Sequence, residues 1–278
     1  LVAIDLNLAA VLTDTHCHLD FNHYEHDRPF VLNRAWETGL ERIMVPGVDL
    51  VSSQAAIKVA RGDHRIFAAV GVHPNSSLTW NGTIHDAILR LTHHPKVVAI
   101  GEIGLDYYRD RAPRSHQKQV FKELLDLAKR RTLPVIIHTR NASADDRRCI
   151  TDLIEILSEW TPNLEYPGVI HSYSGNIAEA EELIEMGYFL GITGPITYKS
   201  AASLREVVES SPLERLLIET DGPFLTPHPH RGKRNEPAYV RYIAEKISEV
   251  HHCSVKTVIK QTSLNAQVLF RWKEAERA

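Results

Sequence analysis

The sequence predicts an α/β fold, a (β/α)8 barrel of the TIM type, on three observations. Short apolar runs alternate with longer amphipathic ones about eight times along the chain. Several of the short runs (FAAVGV, VVAIGEIG, LPVIIH, RLLIET) are nearly continuous apolar stretches, as parallel strands buried on both faces require. No glycine-rich first turn of the Rossmann or P-loop kind is present, which sets aside the open doubly wound sheet. A length of 278 residues suits one such barrel, typically about 250 residues. With no linker, composition break or low-complexity segment, residues 1–278 are expected to form a single domain.

The chain opens on a strand expected over Leu12–His18, followed by a helix over Pro29–Thr38. The next pairs are Arg42–Val48 with Ser52–Arg61, Ile66–Val72 with Ile84–Thr92, and Val97–Ile103 with Ser115–Arg131. That last helix is the clearest, with Val120, Leu124, Leu127 and Ala128 recurring on one face. Pro134–His138 precedes Asp145–Trp160, Gly168–His171 precedes Ile177–Met186, and Tyr188–Gly191 precedes Ala202–Ser210. The eighth strand is Arg215–Glu219, followed by Tyr239–Val250 and a closing helix over Val255–Lys273.

Hydrophobic residues make up 43% and charged residues 24%, close to an ordinary soluble globular protein and far from a disordered one. The net charge of −3 supplies no global field to attract nucleic acid, so polyanion binding requires a local basic patch or bound cations. Three cysteines, Cys17, Cys149 and Cys253, form neither an even set nor a Cys-x-x-Cys pair, which favours a reducing compartment. No apolar run reaches the ~18–20 residues of a membrane span. The apolar opening LVAIDLNLAAVL carries Asp5 and no basic leader, unlike a signal peptide. A cytoplasmic location is expected.

His16 and His18 flank Cys17 at the end of the first strand, and strand alternation points both imidazoles to one side. A lone His-x-His is weak evidence in a chain with 16 histidines. The other strand ends strengthen it: Glu102 near the end of the fourth, His138 of the fifth, His171 of the sixth, and Asp221 just past the eighth. In a barrel these ends share one rim, where active sites sit. Four histidines and two carboxylates suit borderline divalent metals such as zinc, manganese, nickel or iron, with magnesium a further candidate. Six ligands exceed the three protein ligands usual for one catalytic metal. Two cations ~3.5–4 Å apart, sharing a carboxylate and activating a water nucleophile, fit better. Glu102 is the chosen bridge, and Glu102 and Asp221 are the candidate catalytic carboxylates.

At these residues the sequence resembles the TatD family of metal-dependent deoxyribonucleases, within the amidohydrolase-like barrels. The segments DTHCHLDF, GVHP, GEIGLDYY, QKQVFKELLDLAKRRTLPVIIHTRNA, HSYSG, ETDGPFLTPHPHRGKRNEP and TSLNAQVLF carry the resemblance from about Asp14 to Phe270. The resemblance implies metal ligands at His16, His18, Glu102, His138, His171 and Asp221, with Glu102 bridging. It also implies a (β/α)8 fold, a divalent-cation requirement, and 3′–5′ exonuclease activity on single-stranded DNA ends and RNA. Two departures stand near the site. Asn75 follows GVHP where the family commonly has His, and HSYSG replaces the family's frequent His-Cys-Phe-Thr-Gly.

Other rim residues are read with two roles each. His73 is a candidate substrate contact or a structural histidine beside Pro74. Asp106 either orients a ligand or caps a turn. Arg140, two residues past His138, suits phosphate recognition or a surface ion pair. Glu219 either supports a ligand, the preferred reading, or touches a metal. His228, His230, Arg231, Lys233 and Arg234 form a cationic loop beside the metal rim, with His230 and Arg231 the candidate substrate contacts. Tyr107 and Tyr108 are base-stacking or packing residues, and Cys17 a packing residue. The competing activities are amide, ester or lactone hydrolysis, including deacylation of an aminoacyl-tRNA, since a fold does not fix its chemistry. A metal-stabilised binding module ranks last because six ligands on two metals leave room for water.

Overall fold

The computed structural model describes residues 11–109, 111–143, 145–160 and 164–272. Strands β1 (Leu12–Asp14), β2 (Leu40–Pro46), β3 (Ile66–Val70), β4 (Val97–Asp106), β5 (Val135–Arg140), β6 (Gly168–Ile170), β7 (Phe189–Ile192) and β8 (Leu216–Ile218) form one parallel sheet in sequence order. Helices α1 (Arg28–Glu37), α2 (Leu50–Arg61), α3 (Gly82–Leu91), α4 (Arg114–Arg131), α5 (Arg148–Glu159), α6 (Ile177–Glu185) and α7 (Ala202–Ser210) connect successive strands. Helices α8 (Val240–Val250) and α9 (Val255–Phe270) follow β8. Several helices start where a side chain accepts otherwise unpaired N–H groups: Asp49 for α2, Asn81 for α3, and the Asn176–Glu179 capping box for α6.

The seam between β8 and β1 is closed by individual hydrogen bonds. Thr15 N–H donates to Ile218 O at 3.1 Å, and the buried Asp14 carboxylate accepts Thr220 N–H at 2.9 Å and the Thr220 hydroxyl. A single bridge, Cys17 with Gly222, continues the contact beyond the strands. Burial pushes the Asp14 pKa up to about 7 despite these donors.

Alternation along the strands divides the core. Met44, Phe67, Ala69, Ala99, Ile136, Val169, Phe189 and Leu217 fill the barrel with the end of α9, and Phe67 packs 5.1 Å from Trp272. The intervening residues, such as Ile43, Val45, Ala68, Val135, Ile137, Leu216 and Ile218, pack with the surrounding helices. Extending the inward set by steps of two reaches His73, His138, His171, Glu219 and Asp221. The period of two therefore carries the filler residues directly into the chemical ones at the rim.

Several element boundaries differ from expectation. Strand β1 stops at Asp14, because the chain bends at Thr15 to place its N–H and hydroxyl on Ile218 O. His16 and His18 thus lie on the extended segment past the strand. Strand β4 runs on to Asp106, paired with Arg140 of β5, so Glu102 sits inside the strand rather than near its end. Helix α9 ends at Phe270, where left-handed Arg271 turns Trp272 under the barrel. The expected continuation to Lys273 lies outside the described residues. Helix α5 begins at Arg148, not Asp145.

Strand β4 needs glycine at Gly104, where φ is +132° and an added Cβ would meet His138 O at 2.1 Å. Gly104→Ala is expected to destabilise the fold by about 2–5 kcal/mol, combining backbone strain and overpacking. Gly82→Ala, at the start of α3 with nothing within 4 Å of the new carbon, should be neutral or stabilising by up to about 1 kcal/mol. Urea titration of both variants checks the pair, and a Gly104→Ala protein as stable as the parent would refute the packing account.

Candidate metal centre

Five strand ends and the segment after β1 bring nine chemically active side chains to one rim. His16 Nε2 and His18 Nε2 lie 3.2 Å apart, 3.6 and 3.7 Å from Glu102 Oε2, and 3.8 and 3.6 Å from Asp221 Oδ1. His171 Nε2 approaches the same Asp221 oxygen at 3.5 Å, and its ring stacks on His16 at 3.5 Å. The other oxygen of Glu102, Oε1, faces elsewhere: 2.9 Å from His138 Nδ1 and 3.7 Å from His73 Nε2. Among the described residues, three overlapping groups bring possible ligand atoms together: His16–His171–Asp221, His16–His18–Glu102 and His73–Glu102–His138.

The donor set fits a divalent cation. Buried nitrogens and carboxylate oxygens converge with lone pairs toward one another, an arrangement that a cation relieves and few protons can satisfy. The outer nitrogens of the rings show which lone pairs are presented. His171 Nδ1 is 2.7 Å from Glu219 Oε2, which holds the proton at Nδ1 and leaves Nε2 to face inward. Gly191 makes room for that carboxylate, since a Cβ there would come within 2.3 Å of it. His138 Nε2 is 3.3 Å from Asp106 Oδ2, leaving Nδ1 for the centre. Asp106 is itself held by Asn75 Nδ2 at 3.0 Å and by the N–H groups of Tyr108 and Arg109. Asp106 thus does both things expected of it, orienting a histidine and capping the turn. Glu219 supports His171.

His73 differs from these rings. Its Nδ1 accepts the Asn75 N–H at 3.0 Å, so the neutral ring carries its proton on Nε2. Burial, aided by His138, lowers its pKa to about 3, so that tautomer persists at neutral pH. His73 therefore offers a hydrogen-bond donor to the centre rather than a lone pair.

Burial also lowers the His16 pKa. Burial by itself would lower His138 and His171, but the carboxylates outweigh it: Asp106 and Glu102 raise His138 to about 9, and Glu219 and Asp221 hold His171 well above its usual range. Burial would raise Glu102 and Asp221, and the facing histidines outweigh it and hold both low. The centre without metal thus pairs the imidazoliums of His138 and His171 with carboxylates, beside the neutral rings of His16 and His73.

The candidate substrate contacts are placed unevenly. Arg140 stands at the end of β5 with its guanidinium 4.0 Å over the Tyr108 ring, and Arg231 lies 4.3 Å over Tyr198. His230 is not brought to the cluster: its ring stacks on Tyr239 at 4.2 Å and Nε2 meets the Tyr242 hydroxyl at 3.1 Å. Arg234, expected in the cationic loop, is bonded in bidentate fashion to Asp27 and to His23 O. Tyr107 is buried and donates to Asp152, whereas Tyr108 is exposed. Cys17 packs away from the centre against Gly222 O and Tyr24. The sequence reading missed Phe21, whose ring stacks on His18 at 4.5 Å, and Phe224, 6.4 Å from the same ring. Their presence in the HCHLDF and DGPFL segments was the available signal.

The comparisons agree with this geometry. The family described as TatD related DNase matches residues 13–271. A Bacillus subtilis protein named YabD, an uncharacterized metal-dependent hydrolase, is 41% identical over 94% of this chain and 99% of its own. A 3′-5′ ssDNA/RNA exonuclease, TatD of Salmonella typhimurium, is 33% identical over 92% of this chain and 98% of its own. The crystal structure of YjjV, a TatD homolog from Escherichia coli, superposes with a TM-score of 0.87 at 30% identity, covering 95% of this chain and 99% of that one.

Metal loading should release protons. A raised His138 pKa means that its ion pairs stabilise the metal-free fold fully below the unfolded value near 6.5, and that this is lost as pH rises through about 9. A cation competes for the same nitrogen, so affinity should climb between those values. Calorimetric titration with Mn²⁺ or Zn²⁺ at pH 7 in buffers of different ionisation enthalpy should show net proton release, and uptake or no exchange would contradict the assignment.

Proposed function

This chain belongs to the TatD-related DNase family, and from that premise we propose that it is a two-cation phosphodiesterase trimming the 3′ ends of single-stranded DNA, and RNA as well. It is a metal-dependent hydrolase. The observation that carries the finer reading is the split of Glu102, whose Oε2 faces His16 and His18 while Oε1 faces His138. One carboxylate between two nitrogen sets suits a bridge. His16, His18, His171 and Asp221 would hold one cation with Glu102 Oε2, and Glu102 Oε1 with His138 the other. Magnesium, manganese or zinc would supply charge stabilisation for a phosphoryl oxygen and a water of lowered pKa.

The chain's own residues prepare the rest. His73 directs its Nε2 proton toward the centre, where a phosphoryl oxygen accepts it. Asp106 and Glu219 lock the rings of His138 and His171 so that substrate entry does not rotate them. Arg140 and Arg231 lie over tyrosine rings, and their N–H groups would bind phosphate oxygens. His230 shapes the Arg231 loop through Tyr239 and Tyr242. The exonuclease relatives support the DNA and RNA assignment. With a net charge of −3, strand binding depends on these local groups.

End-labelled single-stranded DNA and a panel of aminoacyl esters, each with and without chelator, decide between phosphodiester and ester hydrolysis. The expected result is stepwise loss of 3′ nucleotides that chelator stops. Turnover of the esters alone would transfer the assignment to a deacylase. Glu102→Ala should cut turnover by at least about a hundredfold and lower metal stoichiometry in elemental analysis. Full activity with two metals bound would remove the bridge.

Neutralising Arg140 or Arg231 should raise KM for an oligonucleotide more than for a small phosphodiester. Each should flatten the salt dependence by about 0.7–1 unit of slope. Equal effects on both substrates would place these arginines at the reaction centre or in the fold.

A further inference from the structure

Six large hydrophobic side chains are exposed among the described residues: Phe30, Val51, Leu78, Tyr108, Ile177 and Phe224. Every one follows the C-terminal end of a strand, in the connecting segment or first turn of the next helix. The opposite end and the outward helix faces carry none of them. Scattered exposed apolar residues need no explanation, but their confinement to the metal-bearing face does.

Phe224 is the member nearest the chemistry. It is 47% exposed, with its ring 6.4 Å from His18, 6.3 Å from Phe21 and 6.0 Å from His23. Its backbone is fixed, the N–H donating to Asp221 O at 2.8 Å and the carbonyl accepting Asn235 Nδ2 at 2.6 Å. The loop bearing Phe21 and His23 is tied to the same place. Arg234 binds Asp27 and His23 O, and the Tyr24 hydroxyl donates to Asn235 O at 2.7 Å. Two loops from opposite ends of the chain thus hold a half-open aromatic cleft beside a proposed metal ligand.

Resting on the phosphodiesterase reading above, we propose that Phe224, flanked by Phe21 and His23, is the stacking platform for the nucleobase adjoining the scissile phosphodiester. A phosphate at the His18 side of the centre places its attached nucleoside against this cleft. Aromatic stacking accepts any base, because each has a π-face. The cleft offers rings rather than an array of hydrogen-bonding side chains, which suits a strand end of any sequence. Across the rim, at the ends of β4 and β5, the Arg140–Tyr108 pair holds a guanidinium for the backbone.

The test uses oligonucleotides carrying 2-aminopurine or an abasic residue at the 3′ end, with a phosphorothioate terminal linkage for binding and a normal one for cleavage. Wild type should quench 2-aminopurine fluorescence on binding. Phe224→Ala should weaken binding and raise KM by roughly tenfold for base-bearing ends, with little further loss for abasic ends. Phe224→Trp should restore both, and Phe224→Leu, which keeps an apolar side chain without a π-face, should not. Metal content and melting temperature are measured for each variant. Equal losses on abasic and base-bearing ends, or no loss in Phe224→Ala and Phe224→Leu while wild type cleaves, would overturn the platform alone. A metal-loaded wild type that neither binds nor cleaves any oligonucleotide would overturn the phosphodiesterase reading together with it.

Discussion

A buried carboxylate fastens the barrel where its ends meet. Asp14 accepts the N–H and hydroxyl of Thr220, across a sequence separation of 206 residues. Just beyond it Asp221 N–H donates to His16 O at 2.8 Å and His18 N–H to Gly222 O at 2.8 Å. These bonds carry the first and last chemical motifs into one place, so His16, His18 and Asp221 share a centre. Holding an acid in that environment is costly, as its raised pKa records. Burying a polar group is tolerable only when donors surround it, and the backbone of the neighbouring strand end supplies them.

Around that seam the protein arranges charge in two layers. The inner layer presents lone pairs and carboxylate oxygens to a common space, and the outer layer decides which atom of each ring is presented. Glu219 fixes His171 and Asp106 fixes His138. His73 receives its constraint from a backbone N–H and so keeps a proton where its neighbours keep a lone pair. Three histidines with the same intrinsic chemistry thus acquire different roles from the single hydrogen bond made by the other nitrogen.

The basic segment after β8 illustrates how little a charge count says about use. Arg234 is consumed in tying two loops, His230 in an aromatic stack, and Arg231 lies free over Tyr198. Glu236 adds to the stitching by pairing with Arg34 of α1. Much of this segment builds the rim, and the groups it leaves open are rings and guanidinium edges. That mixture suits a single strand of nucleic acid, whose bases are flat and whose backbone is anionic.

Local physics made the eightfold alternation legible, because burial on both faces of a parallel strand requires apolar runs and burial on one face of a helix requires amphipathic ones. It also made the clustering of His16, His18, Glu102, His138, His171 and Asp221 legible, since the C-terminal ends of a barrel's strands share one rim. The boundaries near the site were less legible. Strand β1 ends early because Thr15 is drawn to Ile218, and β4 runs long because Asp106 finds a partner in Arg140. Only the tertiary structure decided that Glu102 divides its oxygens, that His73 donates, that Arg234 is a tie and that Phe224 stands open. Each of these depends on which partner, often about 30 to 200 residues away, reaches a given atom first, and periodicity along one strand carries no information about its partners across the barrel.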